Sequence, residues 1–169
     1  MDIHEDFKYL SEALDQAKLS AGDGNFPVGA VLVIDGKKID SARNLLSTNS
    51  DWVSHAEMNL IIKYSSLIKE GHNNGSSCTI YTTLEPCLMC LGACSLNRIS
   101  RIVYSCKDNF TGASGVNFDL LPHGYKEMTP KMEESVHFKD ESKQLILKYF
   151  EEHKSPKWDK AKDLMQDAE

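Results

Sequence analysis

Apolar residues recur at Ile3, Phe7, Leu10, Leu14 and Ala17, steps of four and three that place them on one face of a helix. Gly22-Asp23-Gly24 predicts where that helix stops. Over 28–34 the pattern becomes an unbroken apolar run, which predicts a buried strand. Asp35-Gly36 then turns the chain into a weaker returning strand over 37–42. A polar loop covers 44–52. Ser54 stands where it can cap a helix over 55–68, packed through Ala56, Leu60, Ile61 and Tyr64. Beyond the turn-rich segment 71–77, the pattern predicts a strand over 78–82, a helix over 86–97 with Pro86 in its first turn, and a strand over 101–105.

After the hairpin the order is thus helix, strand, helix, strand, the alternation of a sheet that has parallel pairs covered by helices. The pattern thins past Asp108. Residues 111–115 read as a loop, 118–121 fit no single element, and 142–153 read as a helix facing inward through Leu145, Ile146, Tyr149 and Phe150. We take 1–153 as one domain and 154–169 as a charged tail, either a surface helix or an active-site lid carrying Trp158.

Charge narrows the classes of partner. The formal net charge is −6 and the pI about 5.5, which speaks against a broad phosphate-binding surface and favours small-molecule substrates. No apolar run approaches the length of a membrane span, and Asp2, His4, Glu5 and Asp6 are the opposite of a leader peptide, so a cytoplasmic location without membrane association is expected. Five cysteines, an odd number, argue against a disulfide framework and turn any close pair toward metal binding or catalysis.

Two short motifs carry the chemistry: His55-Ala56-Glu57 and Pro86-Cys87-Leu88-Met89-Cys90. Each falls at a predicted helix start, and in a helix-on-sheet architecture strand ends and helix starts gather in one crevice. One imidazole and two thiolates fill three tetrahedral positions of Zn2+ and leave the fourth for water, the layout of a catalytic site. Cys87 and Cys90 lie one helical turn apart on the same side, at a helix N-terminus that favours thiolates. Glu57 supplies a carboxylate that can take a proton from water and return it to a ring nitrogen and a departing amine. Cys-x-x-Cys alone would also fit a redox pair, but that reading leaves the distant His-x-Glu unused. Cys94 lies a turn deeper and reads as core.

The combination H-x-E…P-C-x-x-C is the signature of zinc nucleobase deaminases. Together with Phe26-Pro27-Val28-Gly29-Ala30-Val31, the Asn44 loop, Thr83-Leu84-Glu85-Pro86 and the stretch from Arg98-Ile99 to Thr111-Gly112-Ala113, it makes the chain resemble the cytidine and deoxycytidylate deaminase superfamily. The branch it resembles holds tRNA adenosine deaminases, guanine deaminases and small cytosine deaminases. That resemblance implies a three-layer α/β/α sandwich around a five-stranded mixed sheet, one zinc ion per chain and a homodimer. It also implies a base-anchoring role for Asn44 and a base pocket lined by Phe26, Pro27, Val28 and Gly29, with backbone contacts from Ala56, Leu84 and Glu85. The Thr111-Gly112-Ala113 stretch is most similar to tRNA adenosine deaminases. Trp52 before His55 and the many carboxylates of the C-terminal half count against a tRNA substrate. The expected function is hydrolytic deamination of a free nucleobase or nucleoside; the alternatives are wobble adenosine deamination in tRNA and a catalytically inactive, zinc-containing partner subunit.

Overall fold

A computed structural model describes residues 3–166. Seven α-helices and five strands follow in the order α1 (Ile3–Gly22), β1 (Gly29–Ile34), β2 (Lys37–Arg43), α2 (Leu46–Asn49), α3 (Ala56–Asn73), β3 (Cys78–Leu84), α4 (Leu88–Leu96), β4 (Arg101–Cys106), α5 (His123–Met128), β5 (Lys131–Glu134), α6 (Lys139–Glu152) and α7 (Pro156–Gln166). The strands form one mixed sheet in the order β2-β1-β3-β4-β5. β1 runs antiparallel to both β2 and β3, whereas β3, β4 and β5 are parallel neighbours. This is the α/β architecture expected from the resemblance.

The unbroken apolar run of β1 has a simple cause: both faces of the sheet are covered. Val31 and Val33 point with Tyr81 and Val103 toward Tyr9, Leu10 and Ala13 of α1. Ala30, Leu32, Ile80 and Ile102 belong to the larger core that includes Leu60, Ile61 and Ile68 of α3 and Leu91 and Cys94 of α4. α6 packs beside α1, and α7 returns over α6, burying Ala161 and Met165 in that larger core. α1 approaches β1 so closely that a Cβ on Gly29 would lie 2.1 Å from the Ala13 carbonyl oxygen. Only glycine permits that approach.

Some local expectations are corrected. Ser54 does not cap α3; its hydroxyl donates to Asp51 Oδ2 at 2.6 Å, and His55 occupies the cap position in extended conformation. Pro86 lies ahead of α4 instead of in its first turn, since Cys87 is the cap residue and the helix starts at Leu88. The polar loop contains the one-turn α2, and α5 and β5 lie where no element is legible in the sequence. Within the charged tail, Pro156–Gln166 form the helix α7.

β5 is a short outer strand of largely charged residues, fastened by side chains. Arg101 on β4 holds Asp6 of α1 through two bonds of 3.0 and 2.9 Å, pairs with Glu133 of β5, and donates to the Tyr81 hydroxyl at 3.2 Å.

Candidate active site

The C-terminal ends of β3 and β4 open into a crevice that the N-termini of α3 and α4 face. His55 and Cys87, as the residues in front of the two helices, have extended backbones (ψ 153° and 170°) that turn both side chains across the gap. The approach to His55 is stiffened by polar side chains. Asn25 Oδ1 accepts from the Ser47 and Thr48 N–H groups, Asp51 Oδ1 accepts from those of Val53 and Ser54, and Asn59 Nδ2 donates to the Arg43 carbonyl.

His55 Nδ1 lies 3.7 Å from Cys87 Sγ and 3.5 Å from Cys90 Sγ, and the three ligand atoms are within 4.8 Å of one another. Tetrahedral bonds of about 2.3 Å to sulfur and about 2.0 Å to nitrogen would separate neighbouring S and N ligands by roughly 3.6 Å. The donor set therefore fits zinc by type and by spacing. Cys94, fully buried in the core, is not part of the cluster. The Cys87 thiol is pulled down to about 4, chiefly by the hydrogen bond from Cys90 and next by that from His55. His55 is raised, mainly by its bond to Cys87.

Glu57 sits in the first turn of α3, 3% exposed, beside this trio. Its Oε1 accepts from the Thr82 hydroxyl at 3.2 Å, and its Oε2 lies 3.6 Å from Cys90 Sγ. Burial raises its carboxyl above the ordinary value, the direction a proton carrier near neutral pH requires. Thr82, which aims this carboxylate, escapes sequence reading because it is one of three threonines in a strand buried along its whole length.

Above the trio opens a cavity of about 710 Å³. Phe26, Val28, Asn44, Leu84 and Glu85 line it together with His55, Glu57 and Cys87. Pro27, Gly29 and Ala56 do not: the bare α-carbon of Gly29 is turned to α1, and Ala56 is buried in the core beneath the site. Asn44 lines the cavity and also fixes a turn. Its Oδ1 accepts from the Leu46 N–H at 3.1 Å, a turn contact, and its Nδ2 has no acceptor among the described residues. Trp52 also lines the cavity, largely exposed at its edge.

The opposite wall comes from the C-terminal helices. Trp158 of α7 lies over Phe26 with ring centres 5.9 Å apart and planes 12° from parallel, and it stacks on Phe150 of α6 at 5.2 Å. Tyr149 meets Phe26 edge-on at 5.1 Å. α7 is fastened by the Lys162–Glu151 ion pair and by a bond from Asn109 Nδ2 to the Leu164 carbonyl. No helix among the described residues is long and apolar enough to cross a membrane.

Residues 3–106 match the family model for the cytidine and deoxycytidylate deaminase zinc-binding region. The tRNA-specific adenosine deaminase of Bacillus subtilis (strain 168) is 39% identical over 117 residues, 69% of this chain and 71% of that protein. A solved structure from work on A-to-I editing by tRNA:A34 deaminases superimposes with a TM-score of 0.64 and 30% identity, over 76% of this chain and 97% of that one. The guanine deaminase of B. subtilis superimposes with a TM-score of 0.52 and 31% identity, over 64% of this chain and 66% of that one. Fold, donor set and relatives agree: the chain is a zinc-dependent hydrolase acting on C–N bonds and belongs to the cytidine and deoxycytidylate deaminase family.

Proposed function

We propose that this chain removes the 6-amino group of an adenine-type base by hydrolysis, and that the base is presented as the wobble adenosine of a tRNA in the cytoplasm. The convergence of His55, Cys87 and Cys90 beneath one cavity with Glu57 at their side carries the deaminase reading. The 39% identity to a tRNA-specific adenosine deaminase supports the tRNA over the free base or nucleoside favoured by composition.

In this reading His55, Cys87 and Cys90 hold zinc. When bound, zinc lowers the pKa of coordinated water from about 16 toward 7, which makes hydroxide available at neutral pH. Glu57 takes the proton released there and delivers it to the ring nitrogen next to the reacting carbon; it then takes the second proton from the added hydroxyl and passes it to the amine, which departs as ammonia while the C–N bond breaks and the carbonyl forms. Thr82 keeps the carboxylate pointed at that path. Asn44 Nδ2 donates to an acceptor on the base edge, and Phe26 offers its ring as a stacking surface. A zinc-containing partner without activity has no use for a carboxylate held in this position.

One observation favours a second reading, deamination of a free base or nucleoside. Trp158 and Phe26 wall the cavity from the side of α7, in a chain of net charge −6. Incubation with an anticodon stem-loop and, in parallel, with bases, nucleosides and nucleotides separates the two. Inosine in the stem-loop without ammonia from the small molecules supports the tRNA reading, and the reverse overturns it.

We also propose that the protein works as a homodimer through the outer face of α3 and α4. Ile62 of α3 and Leu88 and Leu96 of α4 are 62%, 65% and 58% exposed, apolar side chains that a second copy would cover. Sedimentation at micromolar concentration as a single species of monomer mass would refute this.

A further inference from the structure

The Glu85 carboxylate is 3% exposed, and lining the cavity does not account for what it binds. Its hydrogen-bond donors are two backbone N–H groups from one loop: Asp108 to Oε2 at 3.0 Å and Ser114 to Oε1 at 2.7 Å. Gly112 rests directly against it, since a Cβ there would lie 2.4 Å from Glu85 Cδ and 2.3 Å from the Asp108 carbonyl oxygen. Asp108 tightens the same loop by accepting from the Phe110 and Thr111 N–H groups and the Thr111 hydroxyl. The far edge of the loop then meets the metal-site segment. Gly112 pairs with Cys87 in an antiparallel bridge, and the Ala113 N–H donates to the Pro86 carbonyl at 3.0 Å. Loop 108–114 is thus wound around one carboxylate and carries the backbone of Cys87 on its outside.

We propose that Glu85 is a positioning residue for the metal centre: through this loop it fixes where Cys87 presents its sulfur to His55 and Cys90. The proposal rests on the reading of Cys87 as a zinc ligand. A carboxylate suits the task because both oxygens accept and neither donates, so two convergent N–H groups are satisfied at once. A glutamine of the same shape must turn an NH2 toward one of them. Partners that hold a ligand in place typically contribute about 10–100-fold to metal affinity.

The test uses the full chain and begins without any substitution. Zinc loading is expected to slow hydrogen exchange at the Asp108 and Ser114 amides more than at amides of β2; equal changes would overturn the coupling. Zinc affinity is then measured by competition with a chromogenic chelator, and the absorption bands of the cobalt(II)-loaded protein report ligand geometry. Glu85→Gln should weaken zinc about 10–100-fold and shift the cobalt bands. Gly112→Ala, which keeps the carboxylate and pushes the loop off it, should do the same. Arg101→Met, distant from the site, should lower stability and move neither signal. Wild-type affinity and bands in a folded Glu85→Gln or Gly112→Ala protein would refute the proposal. An absence of thiolate-to-cobalt bands in the wild type would instead refute the metal reading of Cys87.

Discussion

Glu57→Gln removes one negative charge from a buried site and changes little in shape. We expect zinc content to stay at one per chain while turnover falls by about 10²–10⁴-fold, the usual worth of a positioned acid–base group. Turnover of a matched substrate panel, with metal analysis of the same samples, checks this. Asn44→Ala should act differently. Its Oδ1 holds the Leu46 N–H and its Nδ2 has no acceptor among the described residues, so the loss should appear as a higher KM with full zinc content. The ligand trio and the carboxylate are legible in the sequence because each motif is local and its chemistry restrictive. The residues around them are less so. Gly29 stands in a stretch that the resemblance assigns to the pocket, yet its missing side chain serves the contact with Ala13. The bonds of Glu85 run to residues 23 and 29 positions away, a distance no spacing rule spans.

At the scale of the element, α7 is the part whose place the sequence leaves open between a surface helix and a lid. Its sequence shows charge and one tryptophan, while its packing rests on Ala161 and Met165, 1% and 2% exposed. Met165→Ala should therefore cost about 2–3 kcal/mol of stability, read from urea unfolding, by opening a gap between α7 and the core. The helices and strands that were legible are those with one face or both faces buried, because burial imposes a period. α5 and β5 leave no such trace. β5 alternates nothing, and Arg101 of β4 holds it by charge through Glu133.

Across the whole molecule, Arg101 joins the N-terminal helix to the last two strands. Replacing it by methionine leaves Asp6 and Glu133 partly buried without their shared cation, and we expect about 2–3 kcal/mol lower stability near pH 7. The pH dependence has a definite sign. Glu133 is held below the ordinary carboxylate value by Lys131 and Arg101 against the opposing effect of burial, so the unfolded chain binds its proton more readily. Its contribution is present above the ordinary value of 4.5 and is lost as the pH falls through the lower folded value. The wild type should lose stability on acidification through this range, and Arg101→Met should lose less. The sheet order shows the same limit of legibility. Alternating helix and strand implies the parallel β3–β4 pair, but the family resemblance gives only the number of strands, five, and not the place of the outer β5.

Ser20 of α1 donates from one hydroxyl toward two carbonyls, Phe26 at 2.8 Å and Asn44 at 2.9 Å, so the helix that crowds Gly29 also grips both shoulders of the cavity. A graft that moves only the lining residues onto another scaffold would leave that grip behind. The smallest transferable unit is α1 with β1 and the strand-to-loop junction at Asn44, cut and carried as one block.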